Sequence, residues 1–134
     1  MFVAACAIVS LIAGDDDSEA YEAALNEAEA PFTSAMAAWE AIVVLSRPDL
    51  LSCRYRQSED VVIEWLAAAR ISLREAENPR QILRHAVSVA EEQGIGKRHL
   101  SNFDCFHYAY AKASGSPMLT TDRLLKLIGL LTSP

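Results

Sequence analysis

Residues 2–14 read Phe2-Val3-Ala4-Ala5-Cys6-Ala7-Ile8-Val9-Ser10-Leu11-Ile12-Ala13-Gly14, an apolar run with no charged side chain. A continuous run of this kind marks a strand covered on both faces, as in a parallel sheet. We therefore expect a central strand over residues 2–8 that passes into a short helical turn over residues 9–13. The run is too short to cross a bilayer, which takes about 20 residues. It also lacks the basic lead of a secretory signal, and Asp15-Asp16-Asp17 follow at once.

Working outward, Ser18 is placed to cap a helix to about residue 29, with Ala20, Ala24, Leu25 and Ala28 as its buried stripe, and Pro31 stops it. Phe32-Thr33 reads as a short strand, and Ser34 as the cap of a helix over residues 35–45. Beyond Pro48 we expect a helical hairpin: one arm over residues 49–56, then Ser58 capping residues 59–69 with Val62, Ile63, Leu66 and Ala67 on one face. Residues 70–73 resemble a strand. Asn78-Pro79 starts a helix that Gly94 ends. Ser101 or Asn102 caps another, ended by Gly115. Met118-Leu119 is a last strand, and residues 123–131 form a closing helix. Strands separated by helices along the whole length predict an α/β fold, a three-layer α/β/α domain with a small parallel sheet. No repeat or linker divides it, so residues 1–134 are expected to be one domain.

Three isolated acids stand at the ends of apolar segments: Glu40 in AAWEAIVVL, Asp104 in SNFDCFHYAYAKA and Asp122 in MLTTDRLL. Each has a bland reading. Asp104 suits the start of a helix, where the dipole favours an anion, and Asp122 suits an N-cap. Ligands of parallel sheets gather beyond the carboxyl ends of the strands, and that rule lets all three acids, with Ala4, share one crevice. Clustered carboxylates are the donors that Mg²⁺ or Mn²⁺ prefers.

In order and spacing the three acidic segments resemble a PIN-domain ribonuclease of the VapC toxin type. Asn102-Phe103-Asp104-Cys105-Phe106-His107-Tyr108-Ala109-Tyr110-Ala111 is similar to that family's G-D-C-x-x-Y-A-x-A, with Phe103 where glycine is usual. Ser34-Ala35 to Glu40 matches S-A-x-x-x-x-E, and Leu119-Thr120-Thr121-Asp122 matches its strand-to-T-x-D segment. The family's first strand reads V-D-A-[SC]-A; here it is Val3-Ala4-Ala5-Cys6-Ala7, so Ala4 stands at the position of a missing acid. The resemblance implies a PIN-like fold and a toxin of a type II toxin–antitoxin system acting as an Mg²⁺- (or Mn²⁺-) dependent endoribonuclease. It further implies a homodimer and a cognate VapB-type antitoxin. Glu40, Asp104 and Asp122 would hold the metal, and with Ala4 in the fourth place this chain is expected to be inactive.

A net charge of −6 argues against broad, non-specific RNA binding, which Lys and Arg drive. It suits a nuclease whose basic groups are local. Gly96-Lys97-Arg98-His99 is the best such cluster, making Lys97 and Arg98 the expected RNA contacts, and Arg54-Tyr55-Arg56 is the second. Such clusters are more often plain solvated surface. Trp39, Trp65, Tyr108 and Tyr110 could stack on bases, although aromatics at helical spacing are more often core. With 51% hydrophobic residues the chain has material for a core. Its 3 cysteines and 3 histidines lack zinc or disulfide spacing, which suits a reducing, cytoplasmic setting and small buried thiols.

Two other readings compete. A naturally degenerate PIN domain would keep only binding, to an antitoxin-like partner or to RNA. A receiver-type signalling domain would want paired acids after the first strand and a late lysine, and has neither.

Overall fold

The computed structural model describes residues 1–96 and 100–120. Among the described residues ten elements follow one another: β1 (Phe2–Val3), α1 (Ala5–Ala13), α2 (Ser18–Glu27), β2 (Phe32–Thr33), α3 (Ala35–Leu45), α4 (Tyr55–Ala68), β3 (Ser72–Leu73), α5 (Pro79–Gln93), α6 (Asn102–Ser114) and β4 (Met118–Leu119). The strands form one parallel sheet in the order β3-β2-β1-β4. Phe2 pairs with Phe32 on one side and Met118 on the other, and Val3 pairs with Leu119. This is the expected mostly helical α/β fold around a small parallel sheet. The closing helix expected over residues 123–131 lies outside the described residues.

Alternation along β1 splits the core in two, because successive side chains of a strand point to opposite faces. Phe2, with Phe32 and Met118, packs against Ile82, Ala86 and Val89 of α5 and Cys105 and Ala109 of α6. Val3 and Leu119 pack on the other face against Ile8, Leu25, Ile42, Leu45, Val62 and Leu66 from α1 to α4. Phe2 is fully buried, meets Phe32 edge-on at 5.6 Å and stacks on Tyr110 at 5.9 Å. Truncating such a ring to alanine costs about 3–5 kcal/mol.

The first strand is shorter than the sequence suggests. It stops at Val3, and Ala4 is the N-cap of α1 rather than a strand residue. Its N–H makes the last bond to the neighbouring strand, to the Leu119 carbonyl at 3.1 Å, while its own carbonyl already accepts from Ile8. An apolar run has no period to divide strand from helix, so this boundary was invisible. Thr33 completes the edge by donating its hydroxyl to the Val3 carbonyl at 2.8 Å.

The hairpin beyond Pro48 also differs. Residues 46–51 form turns instead of a helical arm, and α4 begins at Tyr55, with the Gln57 side chain accepting from the Arg54 N–H. Ser58 is therefore inside α4, buried, and not its cap. The buried stripe is Ser58, Val62 and Leu66, while Ile63 and Ala67 face solvent. Ser18 opens α2 with Asp17 at the cap position, and α2 ends at Glu27, short of residue 29. The strand expected over residues 70–73 is confined to Ser72–Leu73. The expected starts of α3, α5 and α6 stand, because explicit caps fix them: the Ser34 hydroxyl accepts from Ala37, Asn78 accepts from Gln81 ahead of Pro79, and Ser101 accepts from Asp104.

Tyr21 of α2 is buried against α1, and its phenol is pushed up to about 12, first by burial and then by Cys6, Asp17 and Asp15. The folded state thus holds this proton more tightly than the unfolded chain, whose tyrosines titrate near 10. The stabilisation it brings is intact below about pH 10 and is lost as pH rises through about 12. Unfolding in urea should show stability falling over that window, and Tyr21→Phe should flatten the fall.

Candidate functional site

The carboxyl edge of the sheet is built by five elements. β1 ends there at Val3, β4 ends at Leu119, α1 starts with Ala4 as its cap, and α3 and α6 pass beside it. Ala4 is 1% exposed, in the same apolar cluster as Ala37 of α3 and Cys105 of α6. Those two residues lie beside the expected acids, Ala37 one turn before Glu40 and Cys105 next to Asp104. The fold thus brings α3 and α6, the helices that carry Glu40 and Asp104, against the cluster that holds Ala4. Asp122, Lys97 and Arg98 lie outside the described residues.

Glu40 is held by a residue that the sequence did not single out. His107 of α6 donates from Nε2 to Glu40 Oε2 at 2.7 Å, across 67 positions of sequence. The His107 side chain is 2% exposed and that of Glu40 is 26%. Among the described residues the other ring nitrogen, Nδ1, is buried with no hydrogen-bond partner. That arrangement suits the tautomer with its proton on Nε2, because a bare Nδ1 acceptor is cheaper to bury than an unpaired N–H. In that form His107 fixes the Glu40 carboxylate without cancelling its charge. The ring is seated on Phe2 at 5.8 Å, and Phe103 stacks on it at 6.4 Å. Phe103, the departure from the family's glycine, therefore covers the histidine from one turn earlier on α6.

Asp104 is the third residue of α6 and forms a capping box with Ser101. Its Oδ2 accepts from the Ser101 N–H at 3.0 Å, and its own N–H donates to the Ser101 hydroxyl at 3.1 Å. It stands one turn before His107, on the same side of the helix. The next residue, Cys105, is buried, and its thiol is pushed up by burial and then by the Asp104 charge, so it is kept protonated and inert. At the end of β4 the Thr120 hydroxyl is buried and lies 3.2 Å from Cys6 Sγ on α1.

Ala4 supplies no oxygen, and its side chain makes no cap bond although the backbone has N-cap geometry, φ −76° and ψ 161°. Among the described residues no three His, Cys, Asp or Glu side chains come together to hold a cation. The donor types suit a hard divalent ion, but with a methyl group at residue 4 the described set does not fit one.

The fold places the chain among α/β domains built on a small parallel sheet. A profile for the PIN domain matches residues 1–129, and the chain belongs to that family. Among solved structures it is similar to VapC20 of Mycobacterium tuberculosis, described as a Sarcin-Ricin loop cleaving toxin. The TM-score is 0.71 and the identity 16%, over 96% of this chain and 95% of that one. At that identity the likeness is one of fold. A comparison with the sequences of curated proteins finds no match.

The Glu40–His107 contact should be measurable in stability. His107→Ala leaves a cavity and an unpartnered carboxylate, and should cost about 3 kcal/mol. Glu40→Gln keeps a hydrogen-bonding oxygen and should cost about 1 kcal/mol. Guanidinium unfolding of both variants checks the order.

Proposed function

We propose that the chain is a VapC-type endoribonuclease toxin domain, organised as one unit, whose cation site is left incomplete by Ala4. What carries this reading is the backbone at residue 4. It has the N-cap shape that aspartate favours, no side-chain cap, and a place in the cluster that α3 and α6, the helices of Glu40 and Asp104, pack against. Membership of the PIN family supports the same assignment. Glu40, Asp104 and Asp122 are the residues that would act beside an acid at position 4, with Lys97 and Arg98 against RNA. A divalent ion, Mg²⁺ or Mn²⁺, supplies activation of water and charge compensation in such sites. Within the chain, His107 keeps Glu40 in one rotamer and Ser101 anchors Asp104. A cognate VapB-type antitoxin is the partner this reading implies, in the cytoplasm. No helix among the described residues is long and apolar enough to cross a membrane.

The second reading, a degenerate PIN domain that only binds, draws on the same missing oxygen. Restoring the acid separates the two. Ala4→Asp should raise RNA cleavage in millimolar-scale Mg²⁺ or Mn²⁺ by roughly a hundredfold or more, while the chain with Ala4 stays near background. Only the restored protein should melt at a higher temperature when the ion is added. A restored protein that is inert on total RNA, free of antitoxin, and unmoved by metal would leave the binding module as the answer.

We also propose that the chain forms a homodimer through apolar helix surface between Pro31 and Arg70. Val61 and Ile63 of α4 are exposed there. Light scattering should give twice the chain mass, and Ile63→Lys should halve it.

A further inference from the structure

Trp39 is not core. It is 47% exposed on α3 and meets Tyr55, 58% exposed at the start of α4, edge-on with 5.8 Å between ring centroids. Beside Tyr55 opens a cleft of about 540 Å³ lined by Val43, Ser46, Arg47, Pro48, Cys53 and Arg54. Val43 lies one turn after Trp39 on α3, so the indole stands at the head of the cleft. Glu40 is its neighbour in sequence and turns toward α6. Among the described residues, none of Arg47, Arg54 or Arg56 forms an ion pair, although the chain as a whole is acidic. Asp49 is the acid of the connecting turn.

We propose that this cleft is a subsite for unpaired RNA, with one base stacked on Trp39 and Tyr55 and the adjoining phosphates on Arg47 and Arg54. Two exposed rings of different elements give a platform that any base can use, and guanidinium groups answer the phosphates that join the bases. An isologous contact between two copies would bring a second set of arginines to the same place, so charge complementarity favours RNA over that occupant. On α3 the cleft is lined from Val43, one turn beyond Glu40, toward the end of the helix. It would therefore hold nucleotides to one side of the bond addressed at the carboxyl edge and favour single-stranded or looped RNA over duplex. The proposal rests on the nuclease reading for its substrate class, but its test needs no cleavage.

The probe is a short, fluorescently labelled, unstructured RNA titrated with the intact Ala4 chain at low salt in chelator, read by anisotropy. Trp39→Ala and Tyr55→Ala should each weaken binding by roughly tenfold or more, and Trp39→Phe should retain most of it. Arg47→Ala and Arg54→Ala should each lower the slope of log affinity against log salt by about 0.7. Arg80→Ala, on the outer face of α5, should change affinity less than either cleft arginine variant. Should Trp39→Ala fold poorly, Tyr55→Ala, at the more exposed ring, still decides. Ring variants that bind as tightly as the parent, or a parent that binds no RNA, overturn the proposal. So does a Trp39→Ala variant that dissociates a dimer, because the cleft is then an interface between copies. Restored cleavage by Ala4→Asp that is indifferent to Trp39→Ala would defeat the subsite and leave the nuclease reading standing.

Discussion

A two-residue strand sets the geometry of everything else. β1 lies between two parallel neighbours and is buried on both faces, so Phe2 must enter one core and Val3 the other. Neither residue can shift by one position without exchanging the faces on which a phenylalanine and a valine are packed. The ladder then ends, and the chain has to become helix at once to satisfy its amides. Residue 4 is therefore fixed at the carboxyl edge whatever side chain it carries.

The same strand also orders the acids. Phe2 is the floor on which His107 rests, and His107 is what holds Glu40. A short apolar contact is thus converted into the position of a carboxylate on a different helix. Asp104 is held locally instead, by the box at the start of α6. One acid depends on the tertiary fold and the other on four consecutive residues, so the two should respond differently to a loosening of the core.

That division matches what could be read in the sequence. Elements with a local start or stop, such as α3 behind Ser34, α5 behind Asn78-Pro79 and α6 between Ser101 and Gly115, were legible because the cap is chemistry between near neighbours. The end of β1 was not, since an unbroken apolar run has no period. α4 starts earlier than its pattern suggests, because Ser58 looks like a cap in sequence yet its hydroxyl is used in the interior. For the site, Asp104 and Glu40 could be noticed as acids in apolar surroundings, but the partner of Glu40 could not, being a histidine 67 positions away. The spacing of Trp39 suits a core residue, and only the packing of α3 against α4 shows that its ring is left outside.

The interior use of Ser58 reaches beyond α4. Ser46, at the end of α3, donates to the Ile42 carbonyl and shares a 2.7 Å hydrogen bond with Ser58, while Cys53 Sγ lies 3.1 Å from the same hydroxyl. Ser52, with φ of 48°, completes a turn whose two ends are tied to one point. A free connection of this length would sample many shapes, and a ligand that selected one would have to oppose the lost conformational entropy. Here much of that ordering is already done when the chain folds. Whatever settles against residues 46–54 meets a surface of settled shape, so its affinity is set by the contacts it makes more than by the disorder it must remove.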